Sequence, residues 1–152
     1  MSIDEAPNIA GGWLGTYYYI GGNRPDNPRV RFEASFTSSP SGQFEGTILD
    51  AHRLLGAANV YGNQHGLSVR FTKAYRSAIP GGRTMRVEYR GTLSEDGQLV
   101  RGEWKITGPC HIPLPWSYGT WEARRAWHSE EEPEAVADSE SNKHVMREVA
   151  LV

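Results

Sequence analysis

Apolar and polar residues alternate along most of this chain, from Trp13 to Trp127. In Val30-Arg31-Phe32-Glu33-Ala34-Ser35-Phe36 every second side chain is apolar, the two-residue period of a strand with one buried face. The same period runs through Leu67 to Thr72, Met85 to Tyr89 and Val100 to Ile106, and shorter runs begin at Trp13, Phe44, Ala57 and Gly119. Turn chemistry separates them: Gly21-Gly22 to Pro28, Ser39-Pro40-Ser41-Gly42, Tyr61 to Gly66, Pro80-Gly81-Gly82 and Glu95-Asp96-Gly97. The pattern predicts about eight sequential strands with hairpin-length links and no helix long enough for a parallel crossover. Only Asp50 to Leu55 has room for a short helical turn.

Eight strands with one apolar face each form either a closed barrel or a two-sheet sandwich. Hairpin links throughout favour a single all-β antiparallel up-and-down (meander) barrel over residues 11–127, since a Greek key needs a long return connection. Closure also removes exposed sheet edges. Parity then directs Trp13, Tyr17, Tyr19, Val30, Phe32, Phe36, Phe44, Ile48, Val69, Phe71, Val87, Tyr89, Val100, Trp104, Ile106 and Trp121 inward. Gly15, Gly46, Gly91, Gly102 and Gly119 share that face, and the expectation is that they leave space in the lumen. Strand-interior glycines also serve the bends by which barrels coil. An aromatic interior of this kind is either a ligand pocket or a filled core.

Three polar residues fall on inward parity. Asp50 follows Phe44, Gly46 and Ile48, while Lys73 and Tyr75 follow Leu67, Val69 and Phe71. An isolated buried charge is too costly to keep, so Asp50 and Lys73 either pair inside the barrel or lie at strand ends in solvent. In the first case they form a lumenal carboxylate and ammonium which, with Tyr17, Tyr19 and Tyr89, orient the polar head of a ligand.

Gly11-Gly12-Trp13 opens the first strand and Arg124-Arg125 ends the last. In this the chain resembles the calycin superfamily of lipocalins, fatty-acid-binding proteins and avidins. Lipocalins carry a Gly-x-Trp on the first strand, with its Trp closing one end of the barrel beneath an Arg from near the last strand. The resemblance implies that Trp13 is the plug and Arg125, which shares the face of Trp121, its partner. It covers the whole barrel and implies a lumen that holds a small molecule. No further lipocalin motif and no biotin-site pattern is present, so it implies no particular ligand.

Charge and composition change this picture little. Residues 129–152 hold seven acids against Lys143 and Arg147, a net of −5, which leaves +3 on residues 1–128 of a chain whose total is −2. A basic domain with an acidic tail fits a nucleic-acid binder, but the arginines alternate singly with acids as on a solvated sheet face, and most aromatics turn inward. No nucleic-acid partner is expected. The segment 128–152 is acidic, contains Pro133 and is read as a disordered tail, or as a short helix through Val145, Met146, Val149 and Leu151. Cys110 is the single cysteine, so no intrachain disulfide forms. Met1 to Ala10 has acids where a signal peptide carries Lys or Arg, and no apolar run is long enough for a membrane helix. The expectation is a cytoplasmic protein with no membrane partner, a homo-oligomer being left open.

Catalytic and metal patterns are weak. The loop Gly108 to Trp116 is apolar enough to lid an open end, but neighbouring Cys110 and His111 point opposite ways on an extended chain. A nucleophile there needs His52 or His65 as base, and the Cys and His spacings match no metal site. No catalytic residue, metal or cofactor is assigned. The reading is a barrel that binds a small apolar or aromatic molecule through Tyr17, Tyr19, Asp50, Phe71, Lys73, Tyr89, Trp104 and Trp121. The alternatives are an isomerase, cyclase or lyase using Tyr with Asp or Lys as acid and base, and an interaction module with a filled core.

Overall fold

In the computed structural model the alternating segments close into an eight-stranded antiparallel barrel in simple meander order. The strands are β1 (Gly11–Gly21), β2 (Arg29–Ser38), β3 (Gln43–Asp50), β4 (Ala57–His65), β5 (Ser68–Tyr75), β6 (Arg86–Leu93), β7 (Leu99–Gly108) and β8 (Tyr118–His128). The structure describes residues 6–21, 28–51, 56–76, 85–108 and 117–128. The proposed helical turn past Ala51, the Cys110–Trp116 loop and the tail after His128 lie outside these residues.

Each strand pairs with the next, and β1 closes on β8 from Gly11↔His128 to Gly21↔Tyr118 with two register shifts. Alternation sets the faces: in β2 the inward Val30, Phe32, Ala34 and Phe36 are buried, while Arg29 and Arg31 are exposed. The tight links β2–β3, β4–β5 and β6–β7 leave one end of the barrel. At the last of these, Ser94 Oγ and the Gln98 amide both donate to Asp96 Oδ1, and Gly97 takes a positive φ of 74° that a side chain would oppose. The C-terminal ends of β1, β3, β5 and β7 mark the opposite end, while the start of β1 and the finish of β8 lie together at the first.

The first end is plugged. Trp13 is 1% exposed, its indole N–H donates to the Ile9 carbonyl at 2.8 Å, and the Arg125 guanidinium lies 4.5 Å from the ring centroid. Residues 6–10 cross beneath the barrel and put Ile9 into the core. Arg125 ties them down through Nη1 to the Ala10 carbonyl at 2.7 Å and Nη2 to the Asn8 carbonyl, while its Nε donates to the Gly97 carbonyl. Gln64 holds the same segment from β4, accepting from the Ile9 amide and donating to the Pro7 carbonyl. The Trp13–Arg125 stack has the geometry implied by the calycin resemblance.

The middle of the lumen is filled with rings. Phe71 stacks on Tyr89 at 4.7 Å, Trp121 meets both edge-on at 5.5 Å, and Phe36 and Phe44 extend the cluster toward the plug. The inward glycines therefore do not leave empty space. A methyl group at Gly15 would strike the Phe32 ring, one at Gly91 the Trp121 ring at 2.7 Å, and one at Gly119 the Tyr18 carbonyl first and then the Trp104 indole nitrogen at 2.9 Å. At Gly46 and Gly102 it would strike the neighbouring strand's backbone, at the Ser35 and Arg90 carbonyls. These glycines admit close strand approach and large indoles, as barrel coiling requires.

Candidate functional site

The remaining end of the lumen is polar. Asp50 closes β3, Lys73 and Tyr75 lie near the end of β5, and Tyr17 and Tyr19 lie on β1. Period-two alternation turns them inward because the residues two positions earlier (Ile48, Phe71 and Lys73, Gly15 and Tyr17) already face the core. Asp50 is 3% exposed and Lys73 is 1% exposed, so the pair sits inside the barrel and not at solvated strand ends. In register Lys73 is flanked by Val60 and Val87, and Asp50 by Phe32, which gives the charges apolar neighbours within the sheet.

The cluster is organised around one carboxylate. Asp50 Oδ2 accepts from the Tyr17 hydroxyl at 3.0 Å and from the Tyr75 hydroxyl, and Asp50 Oδ1 accepts from Lys73 Nζ at 3.4 Å. The ammonium also lies 4.6, 4.8 and 5.3 Å from the ring centroids of Tyr17, Tyr75 and Tyr89. Lys73 is thus caged by three ring faces and anchored by one long ionic hydrogen bond. Desolvation by burial lowers the Lys73 amine below its usual range, and the Asp50 charge opposes that shift. Burial first, and the Asp50 charge second, push the phenols of Tyr17, Tyr75 and Tyr89 well above theirs. The half-buried Tyr19 moves the same way for the same reasons.

An apolar wall stands beside the cluster. Trp104 meets Tyr17 and Tyr19 edge-on at 5.8 and 4.9 Å, and its indole N–H donates to the Thr120 and Tyr18 carbonyls. Half-buried Tyr19 and Ile106 border it. Of the residues singled out in the sequence, Tyr17, Asp50, Lys73 and Tyr89 come together, with Tyr19 and Trp104 alongside. Phe71 and Trp121 do not reach the polar groups. They belong to the ring layer beneath, and Trp121 turns its N–H to the Arg90 carbonyl at 3.0 Å. The two indoles, which neighbouring strands carry, accordingly pack on different partners. Tyr75 completes the cluster. Its signal was its inward position two residues after Lys73, but parity carries no sign that its hydroxyl meets Asp50.

The other features of the barrel are external. Open grooves of about 470 and 510 Å³ lie on the outer face around Tyr61, where Arg70, Glu88, Arg90, Glu103 and Lys105 alternate in sign. Glu33 also faces outward, between Leu14 and Leu49 in register. Its Oε2 is buried without a hydrogen-bond partner among the described residues, and desolvation raises its carboxyl to about 7. His65 is exposed at the end of β4, and among the described residues no group of His, Cys, Asp and Glu is arranged to hold a metal ion.

Fold and cluster together define a closed meander barrel, plugged at one end and carrying an ionisable cluster at the other. The chain matches no family model, and no curated protein matches its sequence.

Proposed function

We propose that the barrel binds a small molecule at the end opposite the Trp13 plug, its polar group directed at Asp50, Lys73, Tyr17 and Tyr75 and its apolar body resting on Trp104 and Tyr19. The observation that carries this reading is the buried Asp50–Lys73 pair. Such a pair is a poor way to stabilise a core, because apolar residues of similar volume are often as stable or more stable. Its presence at the end of the lumen opposite the Trp13 plug suits recognition chemistry. The packed ring layer limits the ligand to this end. The calycin resemblance, with the Trp13–Arg125 stack behind it, supports the same placement, and a cytoplasmic protein without nucleic-acid or membrane partners remains the accompanying expectation.

A second reading has its own observation. Two phenols donate to one carboxylate oxygen and an ammonium to the other, a connected set of proton carriers suited to an isomerase, cyclase or lyase. Binding is the prior step in either case. The test is a titration of intrinsic Trp fluorescence with apolar acids, alcohols and carbonyl compounds, with thermal melts in parallel. A ligand should perturb Trp104 emission and raise the melting temperature by mass action. Both responses should vanish in Asp50→Asn with Lys73→Met and persist in Tyr61→Ala on the outer face. Responses that follow Tyr61 would place the site in the outer groove.

A further inference from the structure

We propose, resting on the binding reading above, that Lys73 captures a carbonyl compound, an aldehyde with an apolar or aromatic body, as a reversible imine at the polar end of the barrel. The geometry singles out this nitrogen. An ammonium has three N–H donors, and among the described residues Lys73 makes one hydrogen bond, to Asp50 Oδ1 at 3.4 Å. Its other directions meet the faces of Tyr17, Tyr75 and Tyr89. Asp50, by contrast, can only accept, and it already takes bonds from two phenols and the ammonium. A carbonyl oxygen arriving at the cluster finds its available donor on Lys73, and the carbon bound to that oxygen lies against the same nitrogen. The Trp104 and Tyr19 wall supplies contact for an apolar or aromatic body. Burial favours the neutral amine, which is the nucleophilic form.

The step is balanced without oxidant or reductant. Lys73 Nζ passes one proton to Asp50 Oδ1, and its lone pair forms the C–N bond as the carbonyl π electrons move to oxygen. That oxygen takes the proton from Asp50. A second Nζ proton follows the same route, and the oxygen leaves as water while the C=N bond forms. The third proton stays on nitrogen, so the protonated imine keeps its positive charge opposite Asp50. Tyr17 and Tyr75 act as positioning residues that hold Oδ2 throughout.

The chain makes the test clean, because its lysines are Lys73, Lys105 and Lys143. The full-length native protein is incubated with cinnamaldehyde and cyanoborohydride near neutral pH, digested, and mapped by peptide mass. Lys73 should carry several-fold more reductive label than Lys105, although Lys105 is exposed on the outer face and Lys73 is buried. Unfolding the protein before labelling should abolish that preference. Label confined to Lys105, Lys143 and the N-terminal amine would overturn the proposal. In parallel, cinnamyl alcohol, which forms no imine, is titrated against Trp fluorescence. Alcohol binding without Lys73 labelling would remove the imine and leave the binding site standing. Loss of both would remove the binding reading as well.

Discussion

The two ends of the barrel bury polar groups in opposite ways. At the plugged end Arg125 and Gln64 spend their hydrogen bonds on backbone: the carbonyls of Ala10, Asn8 and Gly97 for Arg125, and the Ile9 amide with the Pro7 and Gly66 carbonyls for Gln64. Those bonds fasten residues 6–10 over Trp13 and close the chain on itself. At the opposite end the polar groups serve one another. Among the described residues the side chains of Asp50, Lys73, Tyr17 and Tyr75 bond one another and no backbone, and Lys73 makes a single hydrogen bond. A polar residue that completes backbone is part of the fold, whereas a buried ion pair is a weak source of stability, and that difference motivates the proposed binding role.

The comparison can be broken most forcefully by truncation at each end. Trp13→Ala should lower stability by about 3–5 kcal/mol, the range for deleting a buried aromatic, with urea melts as the measurement. Lys73→Met alone should cost a similar ~3–5 kcal/mol by stranding Asp50. The ends then diverge. Adding Asp50→Asn to Lys73→Met should recover most of that loss, because Asn still accepts from the tyrosines, while no second substitution at the plug restores Trp13. Failure of the double variant to recover would make the cluster an ordinary structural element.

Smaller effects sharpen the account. Gly102→Ala should destabilise by about 1–3 kcal/mol, since its methyl would meet the Arg90 carbonyl and not an empty lumen. A neutral or stabilising result in thermal melts would show that the lumen has room. Gln64→Ala should cost about 1 kcal/mol through the lost tie to Pro7 and Ile9. Glu33 gives a pH signature. Its carboxyl rises from 4.5 to about 7 on folding, so the folded state holds the extra proton and stability falls as pH rises between those values. Glu33→Gln should flatten that slope in melts across the window. An unchanged slope would assign it to another group.

Period-two alternation made the strands, the meander and the inward set readable from the sequence, because one buried face per strand leaves a direct trace. It also brought Asp50 and Lys73 to the same face, and the cost of an unpaired buried charge pointed to their pairing. The filling of the lumen was not readable. Parity tells which way Gly15, Gly91 and Gly119 face, but not that Phe32, Trp121 and Trp104 lean into the room they leave. For the same reason Phe71 and Trp121 could not be separated from Tyr17 and Trp104. Depth along the barrel axis depends on strand stagger, which alternation does not encode. Parity also turned Tyr75 inward, but its role was not readable, because it comes from a hydroxyl meeting a carboxylate two strands away.

Native mass spectrometry of the protein purified without denaturation tests the central claim most directly, run beside the folded Asp50→Asn, Lys73→Met variant. The wild-type barrel should carry a small-molecule adduct that the double variant lacks. Equal adducts on both proteins, or none on the wild type, would contradict a binding site at the Asp50–Lys73 end.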